Sequence, residues 1–423
     1  MTLRKPVILY EQSAYNREDC GEILANLQDN SVELVGLPDE YMGEPKYLGI
    51  SASLEASYFV GAAWLIKDYL PVIVRPKVHN VDIAEMLIQA LSNSSDEEAS
   101  YFSNCYKIAF NEPTIETEEE QSELTPILVI HYISLLDNLV KHGLKRDYVT
   151  ITENLRGKVK GHLLFNAQLR QNIIPKREDR NVCRYQIYTT DIPINRLLKK
   201  ALLFADRMLQ VYMHRDHPQY GKLRMRINKL AAVFEGVSDE IEISRVKGLA
   251  SNKLFRHYAD ATRVAKEILR RYDYSLSNVS TATHKTPPFW IDMSRLFEMY
   301  VLSILKKAYG DEIEFQVQGY NQVADYVHNG EGLVIDAKYK QMYAGVDVDV
   351  KDIREISGNA RDYSIISKFP HPEKEPECII IYPEDNGFSS FSGPLSELAH
   401  RKPIRQFRNY YKIPVRLPTL VKQ

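Results

Sequence analysis

The chain has 423 residues, 44% of them hydrophobic and 26% charged, with a formal net charge of −2. That length exceeds one ordinary core and predicts two or three globular domains, while no apolar run approaches the roughly 20 residues that span a bilayer. The opening "MTLRKPVILYEQS" turns polar too early for a secretory signal, and Cys20, Cys105, Cys183 and Cys378 stand far apart, which argues against structural zinc or a disulfide framework and for buried thiols in a cytoplasmic protein.

The small net charge hides an asymmetry. Residues 1–144 hold 9 Lys and Arg against 23 Asp and Glu, residues 145–275 hold 27 against 14, and residues 276–423 hold 18 against 19. An acidic first third and a basic middle suit different partners, or each other.

In chain order, "VILYEQS", "ASYFVGAAWLI" and "YLPVIVRPKV" read as short strands separated by Gly, Pro and Asp. "NVDIAEMLIQALSNSS" predicts a helix capped by Asn80 or Asp82. "NEPTIETEEEQSE" (111–123) reads as an acidic loop or linker, and "LTPILVIHYISLLDNLVKHG" as an apolar helix ended by Gly143. The middle begins with a β segment, "DYVTITENLRGKVKGHLLFNAQLRQN", and a strand, "VCRYQIYTTD". Three helical patterns follow, the first with Leu197, Leu198, Ala201, Leu202, Ala205 and Leu209 on one face. The last third predicts a helix over about 291–309, strands at "EIEFQVQ", "VADYVHN" and "LVIDAKYK", a helix in "DVKDIREISGNARDYSII", then strands "CIIIYP" and "YYKIPVRL". The fold class is α/β: a β-rich N-terminal domain over 1–125 that docks a partner, a basic β-plus-helical middle region over 126–280, and an α/β sandwich with a mixed sheet over 281–423.

The chemistry concentrates in "VADYVHNGEGLVIDAKYK" (323–340). Strand interiors disfavour Asp and Lys, yet Asp336 and Lys338 follow the apolar Leu333, Val334 and Ile335. Residues i and i+2 share a strand face, about 6.6 Å apart. A hairpin across "HNGEG" brings Asp325 beside Asp336. Two converging carboxylates repel unless a cation lies between them, and hard oxygen ligands favour Mg²⁺ or Mn²⁺. A lysine there can stabilise developing negative charge or orient a water. The preceding helix offers Glu298. Together these groups predict a metal-assisted phosphodiester hydrolase; the bland alternative is a solvated surface hairpin.

This stretch resembles the active-site hairpin of PD-(D/E)XK nucleases, and "IDAKYK" is similar to the McrC family, the nuclease subunit of McrBC-type modification-dependent restriction systems. "ENLRGKVKGHLLFNAQLRQNI", "CRYQIYTTDIPINRLLKKAL", "FWIDMSRLFEMYVLSIL" and "YFVGAAWL…VIVRPKVHNVDIAEML" resemble further segments of that family. The resemblance implies a C-terminal PD-(D/E)XK-type nuclease sandwich that cuts double-stranded DNA. Asp325, Asp336 and Glu298 are then the metal ligands, with Lys338 the catalytic lysine. Ala324 stands where the motif has proline, and Glu355 and Asn359 stand where relatives often have Gln and Tyr.

No G-x-x-x-x-G-K-[ST] occurs in the chain, so any nucleotide motor is another protein; the resemblance implies a McrB-like AAA+ GTPase ring that this subunit stimulates. His162, His257, His284 and His328 form no ligand pair, and His328 belongs to the hairpin turn. Lys158, Lys160, Lys176, Arg177, Arg180 and Arg184 lie in or beside the middle β region. Lys176, Arg177 and Arg180 are the candidate DNA-phosphate contacts, an acidic partner surface being the alternative. Two rival readings are a free-standing DNA repair nuclease and a non-catalytic regulator of an AAA+ ring.

Overall fold

The computed structural model describes residues 6–13, 49–50, 55–66, 69–78, 80–92, 101, 105–109, 112–113, 115–117, 124–212, 220–242, 256–277, 284–286, 288–320, 322–345, 348–398 and 401–419. The chain forms two compact units. Residues 124–280 make one; residues 1–123 together with 281–423 make the other. The first and last thirds therefore share a unit.

The first third contains β1 (Val7–Tyr10), β2 (Phe59–Ile66), β3 (Leu70–Arg75), α1 (Ile83–Ser92), β4 (Tyr106–Ile108) and β5 (Ile115–Thr117). Asp82 rather than Asn80 caps α1, its Oδ1 accepting the Glu85 N–H at 2.9 Å. Residues 115–117, expected within an acidic linker, instead form β5. Ile115 is fully buried, and one apolar residue among glutamates is enough to seat a short strand. Cys20 and most of the acidic stretch 118–123 lie outside the described residues. Cys105, Cys183 and Cys378 are buried free thiols, as expected.

The middle unit contains α2 (Leu124–Lys141), β6 (Asp147–Arg156), β7 (His162–Leu163), α3 (Phe165–Gln168) running on as a π-helical turn (Leu169–Ile173), β8 (Arg180–Thr189), α4 (Pro193–Tyr212), α5 (Tyr220–Val233) and α6 (Arg256–Ser277). β6 and β8 pair over ten rungs, from Asp147↔Thr189 to Arg156↔Arg180, with β7 on the other edge of β8. The six apolar α4 residues predicted to share a face are all buried.

The expected β segment through Asn172 is corrected: residues 165–173 are helical. Phe165, Leu169 and Ile173 recur every four residues, a helical period, but all three are exposed. The inward side is polar. Asn172 donates to Gln168 Oε1 at 2.7 Å and exchanges amide hydrogen bonds with Asn154 at 2.9 Å. Gln168 Oε1 accepts the Val182 N–H at 2.7 Å and its Nε2 donates to the Arg180 carbonyl at 2.7 Å. Buried amides that satisfy one another dock this turn onto the ribbon in place of an apolar stripe.

The last third contains β9 (His284–Thr286), β10 (Phe289–Asp292), α7 (Met293–Tyr309), β11 (Ile313–Gln318), β12 (Val323–His328), β13 (Leu333–Ala337), α8 (Val350–Asn359), α9 (Tyr363–Ile366), β14 (Glu377–Phe388), β15 (Lys402–Pro403) and β16 (Tyr410–Val415). β10 joins the N-terminal sheet, whose order is β1-β3-β2-β10-β4, and β9 pairs with β5. The second sheet runs β11-β12-β13-β14-β16-β15. It is mixed, antiparallel from β11 to β13 and parallel from β13 through β14 to β16. Val327, Val334, Cys378 and Ile380 of this sheet pack with Ile353, Ile356 and Ala360 from α8 and its C-terminal end, and with Ile365 of α9. Asp292 caps α7, accepting from Ser294 N and Arg295 N at 3.0 and 3.1 Å, and Gly310 ends that helix at φ 56°.

Gly61 lies where β2 meets β10, at φ 150°, and a Cβ there would fall 2.2 Å from the Phe289 carbonyl oxygen. Gly61→Ala should therefore pry β2 from β10 and lower stability by about 1–3 kcal/mol. Urea unfolding checks this, and an unchanged midpoint would show that the sheet relaxes without strain.

Candidate active site

The site forms where regular pairing of the central strands lapses. β12 and β13 pair at His328↔Leu333, Val327↔Val334 and Tyr326↔Ile335. On the next rung, the Ala337 N–H donates to the Asp325 side chain, Oδ2 at 3.0 Å, rather than to a main-chain carbonyl. On the other side of β12, pairing with β11 skips Gln316 and Asp325, and Gln316 has φ 51°. Ala324 and Val327 belong to the same core cluster although three residues apart. Strict alternation forbids that, so β12 turns about its own axis at Asp325. β13 meanwhile stays in register with β14, and the Lys338 N–H donates to the Ile381 carbonyl at 2.8 Å. The strands part around two aspartates, and the following lysine is held by the neighbouring strand.

Asp336 is 3% exposed. Its Oδ2 lies 3.0 Å from Lys338 Nζ, and the same ammonium donates to Glu355 Oε2 on α8 at 3.0 Å. Lys340, two residues on, is bound to Asp349 and Asp352 at 2.7 and 2.8 Å. Of the two lysines in "AKYK", Lys338 is thus the one set against Asp336. Glu298, on α7, accepts a hydrogen bond from the Tyr101 hydroxyl, and its main-chain carbonyl accepts the Tyr326 hydroxyl at 2.6 Å.

Burial dominates the electrostatics. It pushes the Glu298 carboxyl up to about 7, the Tyr101 hydrogen bond opposing and Asp336 adding to the rise. Burial and then Glu298 push Asp325 up to about 6. Asp336 is raised by burial and then by Asp325. Burial pulls the Lys338 ammonium down, but Asp336, Asp325 and Glu355 together outweigh it and keep the charge on Lys338. The three carboxyls therefore compete for charge in one place, which is the condition that favours a cation.

Four sequence-predicted groups, Glu298, Asp325, Asp336 and Lys338, are brought into mutual electrostatic contact. Among the described residues, no three His, Cys, Asp or Glu side chains are gathered closely enough to hold a metal as they stand. Glu298 is engaged by Tyr101, and Asp336 faces Lys338. The donor set nevertheless suits Mg²⁺ or Mn²⁺: Glu298, Asp325 and Asp336 offer hard carboxylate oxygens, and the buried Asp336 Oδ2 has the Lys338 ammonium as its counter-charge. Lys176 and Arg177 are exposed and Arg180 half-buried, all between the end of α3 and the start of β8 in the other unit. His328 is buried against the Tyr309 ring and Glu331, in the hairpin.

Two residues of the cluster were given no role by sequence reasoning. Glu355 stood out only as a departure from the resembled pattern, with nothing to tie it to Lys338. Tyr101 gave no signal at all, since a tyrosine 197 residues from its partner has no readable spacing.

The raised carboxyls have a consequence for the metal-free protein. A carboxyl whose folded pKa exceeds its unfolded value keeps a proton longer when folded, so its contribution to stability is lost as pH rises. For Glu298 that window runs from its ordinary 4.5 to about 7. In EDTA, urea unfolding from pH 4.5 to 7 should show a steeper loss for the wild type than for Glu298→Gln. Equal pH slopes would mean that Glu298 ionises normally.

Among known protein families, residues 54–357 match the McrBC 5-methylcytosine restriction system component. No curated protein matches the chain. Among solved structures, the chain is similar to one from a half-complex of the tetradecameric assembly of Thermococcus gammatolerans McrB AAA+ hexamers with bound McrC, at TM-score 0.40 and 16% identity over 97% of this chain and 94% of that one. It is also similar to a chain of the Thermococcus gammatolerans McrBC complex, at TM-score 0.31 and 15% identity over 71% of this chain and 87% of that one. The family match spans well over half of the sequence: the chain belongs to the McrBC family of 5-methylcytosine restriction system components, in keeping with the McrC character of its Asp-Ala-Lys hairpin.

Proposed function

We propose that this protein is the DNA endonuclease subunit of a McrBC-like restriction system, a PD-(D/E)XK-type, Mg²⁺-dependent enzyme that works in the cytoplasm with a McrB-like AAA+ GTPase ring and stimulates it. The observation that carries the reading is the meeting of Asp325, Asp336 and Lys338 where the central strands part. Asp325 and Asp336 would hold the cation, with Glu298 completing the set. A bound Mg²⁺ or Mn²⁺ supplies charge neutralisation at the phosphate and activation of water. Lys338 carries a fixed positive charge that can meet a non-bridging phosphate oxygen as negative charge develops on it. Glu355, on α8, also holds that ammonium, which limits where it can swing.

Replacing Asp336 by Asn or Lys338 by Ala should lower DNA cleavage by roughly 10²-fold or more. Both variants should still accelerate GTP hydrolysis by the ring partner as the wild type does, because each changes a single, largely buried side chain of the cleavage site. The protein alone should hydrolyse neither GTP nor ATP. Full cleavage by Lys338→Ala under matched conditions would overturn the assignment. Loss of ring stimulation in the same variant would instead tie docking to the nuclease sheet.

We further propose that Lys176, Arg177 and Arg180 contact DNA phosphates. A second reading is favoured by their surroundings: Phe165, Leu169, Ile173 and Ile174 are exposed on the same turn. Phosphates offer nothing to apolar side chains, so a protein surface on the ring suits this end equally. Lys176 has φ 60°, a conformation that Asn tolerates better than Ala. The test is thus a triple variant, Lys176→Asn with Arg177→Ala and Arg180→Ala. If these residues meet DNA, affinity falls on any sequence and the slope of log K against log salt drops by about 0.9 per contact. Unchanged DNA affinity with weakened ring association would assign the turn to the partner.

A further inference from the structure

Tyr101 belongs to the first third of the chain, yet it reaches the nuclease cluster from outside the nuclease sheet. Its ring stands edge-on to Phe315 of β11, with centroids 5.1 Å apart at 89°. The Arg295 guanidinium of α7 lies 5.8 Å from its centroid. These contacts fix the ring on two sides, so its hydroxyl is aimed by packing rather than chosen among rotamers. That hydroxyl donates to Glu298 Oε2.

We infer that Tyr101 is a positioning residue of the nuclease site, which holds Glu298 by one oxygen so that the other is presented to a divalent cation. The inference rests on the metal-dependent reading of the site. A carboxylate oriented by an outer hydrogen bond binds metal more tightly than a free one, and loss of such a partner weakens binding by about 10- to 100-fold. The alternative is a buried tyrosine that satisfies its hydroxyl on the nearest acceptor and contributes packing alone. Tyr101→Phe separates the two, because the ring and its contacts with Phe315 and Arg295 remain while only the donor is lost.

The experiment measures Mn²⁺ binding to the full-length protein by calorimetry, for wild type, Tyr101→Phe, Glu298→Gln and Asp336→Asn. Circular dichroism and cooperative unfolding establish that each variant is folded. Tyr101→Phe is expected to weaken Mn²⁺ binding by about 10-fold or more, and its DNA cleavage should recover when Mn²⁺ is raised in proportion. A packing role predicts neither the weaker binding nor the rescue. Wild-type Mn²⁺ affinity in Tyr101→Phe, with Glu298→Gln and Asp336→Asn both impaired, overturns the role of Tyr101 and leaves the metal site standing. Wild-type affinity in all three variants overturns the metal site and this inference with it.

Discussion

The constraint on which the C-terminal sheet depends is a set of charges held out of water at the end of its central strands. Asp336 and Lys338 lie 3.0 Å apart, almost fully buried on the Asp336 side. Burying either group alone would be costly, and even as a pair they require further hydrogen bonds or charges to be tolerated. The surrounding elements supply them. α8 contributes Glu355 to the lysine, β12 turns Asp325 onto the Ala337 amide, and α7 brings Glu298 alongside. The apolar lead-in Leu333–Ile335 and the parallel ladder to β14 keep β13 straight while β12 departs from it. An irregularity in a core sheet is tolerated where it serves a site, and the positive φ of Gln316 opposite Asp325 is the local signature.

The same sheet is braced from the first third of the chain. Lys77, just after β3, donates to the Tyr339 carbonyl at 2.7 Å, and its ammonium lies 4.2 Å from the centre of the Tyr339 ring. Tyr339 follows Lys338 directly, so this contact fixes the backbone on the exit side of β13. Glu11 stays within 3.6 Å of Lys77, and burial pushes its carboxyl up to about 7. Asp292 closes β10 and opens α7 in one residue, so the N-terminal sheet sets the angle at which the helix carrying Glu298 departs. The candidate site is thus built by residues from both ends of the sequence.

Much of this was legible beforehand. The strands 313–318, 323–328 and 333–337, the helix after them and the caps at Asp82 and Gly310 follow from alternation, turn residues and capping chemistry. Asp325, Asp336 and Lys338 were readable because charged residues in an apolar strand are improbable without a purpose. The helical turn at 165–173 was misread as strand because its apolar residues face out and its amides face in, so the usual sign of amphipathicity is inverted. Strand β5 was hidden by the glutamates around Ile115. Tyr101 was beyond reach, and Glu355 was named without a role, because long-range contacts between single residues leave no periodicity. Whether a given Glu or Tyr meets a site is decided by the tertiary fold.

The expectation of three consecutive domains met a specific obstacle in β10. That strand lies between β2 and β4, pairing Ile291 with Val60 on one side and with Tyr106 on the other. It is the only described link by which β4 joins the sheet, so residues 1–125 cannot complete their sheet without residues 289–292. β5 likewise needs β9. Residues 124–280 are therefore an insertion into a unit whose halves are far apart in sequence. Closing that separation costs chain entropy before any cross-pairing is gained. The halves can assemble only once residues of the last third have joined those of the first. A site that depends on Tyr101 and Lys77 from one half and on the Asp-Ala-Lys hairpin from the other is then complete only when both halves are in place. A partly made unit, lacking either half, would have its carboxylates without the groups that hold them in place.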